Sequence, residues 1–237
     1  MKAKNLLLTL TVGAIALSSC NSGSMTSTTA TLKSENDTAS YYIGYMYGTG
    51  IQRSGMKEPN MQAILAGMNA AIQKTDIKAD QMQMQMYLSN YLQKLAMKIA
   101  DENLKKGQAF MQENAKKSGI DTMGHGIQYK VVKAGNGPKP AATDVVKVNY
   151  KGTLIDGTEF DSSKEPVEFG LNQVIPGWTE AIQQMPVGST WIIYIPSEMA
   201  YGQRGAGGAI GPNETLIFEV ELLDIVQPET ATPEADK

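Results

Sequence analysis

Between Ala79 and Ser118 the chain runs for about 40 residues without a proline. A continuous helix of that length would be about 60 Å long. Gln81 to Met86 alternates polar and apolar residues, which alone is a strand signal. Met and Gln favour helix, however, and Leu88, Tyr91, Leu92, Leu95 and Ile99 continue with helical period. A long helix is therefore expected. Past Ile99 the apolar positions thin to Leu104, Phe110 and Met111, so that half is expected to be a solvated rod.

The composition differs on the two sides of this helix. Asp37 to Ser118 is rich in Met, Gln, Ala and Lys, whereas Gly126 to Val226 is rich in Val, Ile and Thr with Gly and Pro between short runs. Residues 21–117 carry 11 basic and 8 acidic side chains, and residues 118–237 carry 8 and 16. Two domains follow, with the joint at Ser118 to Gly126. In the first, Ser40, Gly44 and Gly48 form a small-residue ridge flanked by Tyr41, Ile43, Tyr45, Tyr47 and Ile51. Pro59 suits the first turn of a second helix, which carries Met61, Ile64, Leu65, Met68 and Ile72 on one face. Two short helices and half a rod make a thin core, and pairing with a second copy would bury the Met and Tyr faces.

The start of the chain is expected to be an address. Lys2 and Lys4 precede an apolar stretch from Leu6 to Leu17, too short to span a bilayer but suited to a secretory leader. It ends Leu17-Ser18-Ser19-Cys20, which resembles a bacterial lipobox. Residues 1–19 are thus expected to be removed, Cys20 to be lipidated, and the Ser/Thr-rich segment through residue 34 to act as a tether. The expected location is the cell envelope, lipid-anchored to the outer membrane and facing the periplasm or the cell surface. Residues 228–237 are expected to be a disordered tail. With 24 acidic against 21 basic residues, a general nucleic-acid binder is not expected. A single cysteine and a single histidine exclude a disulfide framework and a multi-His metal centre.

The second domain carries the specific signal. Gly126 to Ala134, Asp144 to Ile155, Gly188 to Pro196 and Thr215 to Val226 alternate as strands, and a short helix opens at Val174-Ile175-Pro176-Gly177-Trp178 and runs through Gln184. One helix against an antiparallel sheet is the α+β arrangement. The pieces Tyr150-Lys151-Gly152, Asp156-Gly157-x-x-Phe160-Asp161-Ser162, Val174 to Trp178, Ala200-Tyr201-Gly202 and Pro212-Asn213-x-x-Leu216-x-Phe218 occur in order over about 100 residues. Together they resemble the FKBP-type peptidyl-prolyl isomerases. The helical first domain, the long helix and the lipobox are similar to the macrophage infectivity potentiator subgroup of that family.

That resemblance implies an FKBP-like antiparallel sheet wrapped on a short helix over residues 119–227. It also implies an all-α dimerisation domain over 35–118, its long helix connecting the two. The activity implied is rotation of X–Pro bonds in exported or envelope polypeptides, with no cofactor and no metal. Tyr150, Phe160, Phe169, Val174, Ile175, Trp178 and Phe218 would line the pocket, with Trp178 as its floor. The Ile175 N–H and the Tyr201 hydroxyl would bond substrate carbonyls, and Asp161 would give polarity at the rim. Val167, at a position where many family members carry a second phenylalanine, and Ile210 would complete the substrate-binding wall. The Gly-rich loop from Gly202 to Gly211 fails the phosphate-binding pattern and is expected to be a flap. His125 is expected to be exposed. The alternative is a chaperone or adhesion-type binding module whose pocket is catalytically idle.

Overall fold

The computed structural model describes residues 30–226. The leader, Cys20 and the tail lie outside the described residues. Three helices come first: α1 (Glu35–Arg53), α2 (Met61–Ile72) and α3 (Gln81–Asn114). Each start has a local cause. At α1, Asp37 Oδ2 accepts the Ser34 N–H at 2.9 Å while Ser34 Oγ accepts the Asp37 N–H at 3.1 Å. At α2, the cap is Asn60, which accepts the Ala63 N–H, so Pro59 stands just ahead of the helix instead of in its first turn. At α3, Asp80 and Gln83 satisfy each other's backbone N–H groups in a capping box. That cap fixes the alternating Gln81–Met86 segment as helix.

No residue of α1 or α2 is buried. Tyr42, Tyr45, Met46 and Tyr47 on α1, and Met82, Met86 and Tyr87 on α3, are each more than half exposed.

The expectation of a solvated rod beyond Ile99 is corrected. Ala100, Asn103, Gly107, Phe110, Met111 and Asn114 recur at helical spacing and dock α3 against the sheet domain. Asn103 Nδ2 donates to the Pro212 carbonyl at 2.9 Å, and Asn213 Nδ2 returns a bond to the Ala100 carbonyl at 3.2 Å. Gly107 lies so close to Thr215 that a Cβ would strike its side chain. Phe110 meets the Tyr194 ring at 5.9 Å. Asn114, buried, donates to Gln128 Oε1 at 2.9 Å, and Gln128 Nε2 donates to the Met111 carbonyl at 2.8 Å. Half of the docking ridge is Asn and Gly, and its apolar members Phe110 and Met111 are too few to make an apolar stripe, so periodicity did not reveal it.

The joint is a short hairpin. β1 (Asp121–Thr122) pairs with β2 (Gln128–Lys133) around the turn Gly124-His125-Gly126. His125 has φ 56°, and its Nδ1 lies 2.7 Å from Glu180 Oε2. It is exposed, as expected, but partnered.

The remaining elements are β3 (Val145–Leu154), β4 (Glu159–Ser162), β5 (Val167–Gly170), α4 (Pro176–Ile182), β6 (Thr190–Ile195) and β7 (Leu216–Val226). The sheet runs β1-β2-β6-β7-β3-β4, all antiparallel, and β5 shares the outer edge of β3 with β4. Alternate residues face inward: Trp191, Ile193 and Ile195 on β6, and Leu216, Phe218, Val220 and Leu222 on β7. They close over Trp178, Ala181 and Ile182 of α4. Full burial of each such aliphatic side chain contributes about 1.5–3 kcal/mol. Pro176 occupies the first turn of α4, where its missing N–H costs nothing. The helix ends at Ile182, two residues before Gln184.

Candidate active site

The site lies where β3, β4, β5 and β7 pass the N-terminal end of α4. Two glycines permit the approach. Gly152 of β3 is paired with Phe218 of β7, and a Cβ there would fall 2.6 Å from two carbons of the Phe160 ring. Gly177 precedes Trp178, and a Cβ there would strike Ile195 and press on the Met199 carbonyl. Without those glycines neither Phe160 nor the indole could close up.

Trp178, 4% exposed, is the centre of an edge-on ring cluster. Its centroid is 5.3 Å from Tyr150 at 86°, 5.6 Å from Phe169 at 90° and 5.2 Å from Phe218 at 80°. Phe160 stands on Phe218 at 5.5 Å and 84°. These are the tilted arrangements that ring quadrupoles favour. They bound a cavity of about 440 Å³. Tyr150, Phe160, Asp161, Phe169, Val174, Ile175, Trp178, Tyr201 and Phe218, all named from sequence, line it together with Gln173, which sequence reasoning missed. Gln173 sits next to the Val174-Ile175 motif, and that adjacency was the available signal.

Val167 and Ile210 are not brought to the cavity wall. Val167 pairs with Val148 on β5, half-buried. Ile210 is 8% exposed in the core, its backbone doubly bonded to Ala206 at 2.9 and 3.0 Å. That bridge closes the Gly-rich loop into a small hairpin.

Four polar features mark the cavity. The Tyr150 hydroxyl donates to Asp161 Oδ2 at 2.6 Å, and burial, followed by that bond, pushes the phenol up to about 12. The Ile175 N–H has no acceptor among the described residues, because Ile175 caps α4 and only its carbonyl is used, by Trp178 and Thr179. The Trp178 indole N–H is buried and has no acceptor either. Tyr201 stands at the rim, 41% exposed. Such an arrangement takes an uncharged apolar ring and offers donors to the carbonyls beside it. Among the described residues no cluster of His, Cys, Asp and Glu could hold a metal ion.

A sheet wrapped on one short helix, with a cavity walled by Tyr150, Phe160, Phe169, Trp178 and Phe218, is the architecture of an FKBP-type isomerase domain. Residues 137–223 match the family model for FKBP-type peptidyl-prolyl cis-trans isomerase, and residues 36–131 match that for the domain amino-terminal to it. The chain belongs to the FKBP-type peptidyl-prolyl cis-trans isomerases. It is 41% identical to the outer membrane protein MIP of Legionella longbeachae, covering 95% of this chain and 98% of that protein. It is 40% identical to the FKBP-type 22 kDa peptidyl-prolyl cis-trans isomerase of Escherichia coli, over 84% of this chain and 100% of that one. The crystal structure of FkpA from Escherichia coli superposes with TM-score 0.60 at 36% identity, over 82% of this chain and 98% of that one. The activity is thus isomerisation of X–Pro bonds, and proline-containing polypeptides are the substrates.

Proposed function

We propose that the cavity around Trp178 is the catalytic pocket and that it works by desolvation with directed hydrogen bonds. Rotation about an X–Pro bond faces a barrier of about 18–20 kcal/mol and takes tens to hundreds of seconds unaided. The twisted transition state loses amide resonance and its charge separation, so a water-poor aromatic wall favours it over the planar amide. A thousandfold acceleration requires about 4 kcal/mol. The observation that carries this reading is the unpartnered Ile175 N–H at the edge of the ring cluster. That donor and the Tyr201 hydroxyl hold the carbonyls flanking the proline, while Phe160, Phe169 and Phe218 exclude water around the ring. Asp161 supplies polarity at the rim. Proline-limited refolding is the test. Phe160→Ala should cost more activity than Tyr201→Phe, whose lost hydroxyl is worth about 1 kcal/mol. If folded Phe160→Ala is fully active, the pocket lies elsewhere.

We further propose an envelope lipoprotein that dimerises. Cys20, after removal of residues 1–19, carries the lipid, and residues 20–34 tether it. Support comes from the leader pattern and from the outer-membrane name of the Legionella relative. Residues 35–118 pair two copies, burying the Tyr and Met faces of α1 and α3, and residues 119–227 carry the isomerase. Cys20→Ser should leave the protein in the wash when membranes are pelleted. Light scattering of the mature chain at micromolar concentration should give twice the chain mass, and a monomer would reject the pairing.

A further inference from the structure

β3 changes partners halfway along its outer edge. Val145 to Val148 pair with β5, and Lys151 to Thr153 pair with β4. Between them, Asn149 and Tyr150 have no strand residue opposite on that edge, and Tyr150 is the one whose backbone turns toward the gap. Its N–H donates to Ser163 Oγ at 2.9 Å, and its carbonyl accepts the Ser163 N–H at 3.0 Å. Ser163, one residue past the end of β4, thus replaces a missing strand pair with one backbone and one side-chain bond. Its hydroxyl also lies 3.4 Å from the Tyr150 carbonyl.

Asp161, two residues earlier on the same segment, holds the other end of the same tyrosine through its hydroxyl. The segment 161–163 therefore grips Tyr150 at both backbone and ring. Ser162, between them, turns away and bonds Glu159 at 2.7 Å. The two adjacent serines of the Phe160-Asp161-Ser162-Ser163 run thus differ in what they hold.

We infer that Ser163 is a positioning residue for isomerisation, fixing the Tyr150 backbone so that its ring meets Trp178 and its hydroxyl stays on Asp161. The inference rests on the cavity being the catalytic pocket. An alanine at 163 leaves the Tyr150 N–H without an acceptor in a half-buried place, where an unpaired donor is costly. Because Tyr150 braces both Trp178 and Phe169, the loosened strand tilts the cavity floor.

The test compares Ser163→Ala, Ser163→Thr and Ser162→Ala in the full mature chain. It reads kcat/KM on an X–Pro peptide and the alkaline titration of isotope-labelled Tyr150, assigned by its loss in Tyr150→Phe. Ser163→Ala should lose several-fold to about tenfold in kcat/KM, the range a lost hydrogen bond gives. Its Tyr150 should also ionise at lower pH than in the parent. Ser163→Thr, which keeps the hydroxyl, and Ser162→Ala should behave as the parent in both. If Ser163→Ala does not fold, Ser163→Cys, with a weak sulfur acceptor, should show the same two changes in smaller measure. Parental activity and titration in the folded Ser163 variants, or an equal loss in Ser162→Ala, would overturn the inference. A changed titration with unchanged activity would leave the grip on Tyr150 standing and reject its role in catalysis. The pocket assignment is judged separately by Phe160→Ala.

Discussion

Gly152→Ala separates stability from activity. An added Cβ falls 2.6 Å from Cε2 and Cζ of Phe160 and 3.0 Å from Cε1 of Phe218. Carbon pairs are at ease at about 3.5–4.0 Å, so Phe160 has to retreat by about 1 Å and Phe218 by about half that. Phe218 is 4% exposed and backed by Trp178, so it has nowhere to go. Phe160 sits half-buried on the edge strand β4 and can swing outward. Overpacking costs about 1–3 kcal/mol in a closed core, and an edge ring that yields keeps the cost near the low end. Against this, Gly152 lacks a positive φ, so alanine there regains about 0.4–1 kcal/mol by restricting the unfolded chain. Net stability should change by no more than about 1 kcal/mol.

Activity should fall much further. The displaced Phe160 loses its edge contact with Phe218, worth about 0.5–1.5 kcal/mol, and water enters where the amide has to be dry. A loss of about tenfold or more in kcat/KM is expected, measured on an X–Pro peptide alongside urea unfolding of the same sample. Phe160→Ala removes the ring that the new methyl strikes hardest and opens space into which Phe218 can give, so adding Gly152→Ala to that variant should cost much less than it does in the parent, a strongly non-additive pair. Parental activity in Gly152→Ala, or simple additivity in the double variant, would refute the placement of Phe160 as the closing wall.

Burial, followed by the nearby Asp156, raises the carboxyl of Glu214, and Lys106 and Lys57 only partly offset this. A raised folded value favours the protonated form, so Glu214→Gln should raise the melting temperature at neutral pH, with the gain vanishing as pH falls below the ordinary carboxylate range. The Tyr150 phenol, pushed up to about 12, holds its proton more tightly in the folded state. Its contribution is complete below about pH 10 and is lost between there and about pH 12, and Tyr150→Phe should remove that alkaline step from the stability profile. Gly107→Leu should drive α3 off Thr215, measured as faster amide exchange over residues 100–114 with the sheet unchanged. A fragment starting at residue 98 should be more stable to urea than one starting at residue 120 by about 2 kcal/mol or more, the worth of burying Met111 and part of Phe110.

These outcomes also mark where sequence reading works. Leu216, Phe218, Val220 and Leu222 announce an inward strand face because the period of two is imposed by the pleat, and all four are buried. The pocket aromatics were legible for a different reason. Tyr150, Phe160, Trp178 and Phe218 stand in short motifs that resemble the FKBP family, and that resemblance, not periodicity, named them; Gly152 and Gly177 in those motifs make room for the Phe160 ring and for Ile195. Docking of α3 was not legible, since Asn103, Gly107 and Asn114 contribute through hydrogen bonds and absence of bulk, and a hydrophobicity pattern is blind to both. Val167 and Ile210 were named from the resemblance too, and their places follow from pairings that no local pattern states: the first is held on β5 opposite Val148 of β3, and the second is buried with its backbone bridged to Ala206. Ser163 shows the deeper limit. It and Ser162 are the same residue side by side, and only the register at which β3 passes from β5 to β4 decides which hydroxyl meets a strand left without a partner. Register is a property of the whole sheet, set by β7 on the other side of β3 as much as by β4 itself, and no local run of residues contains it.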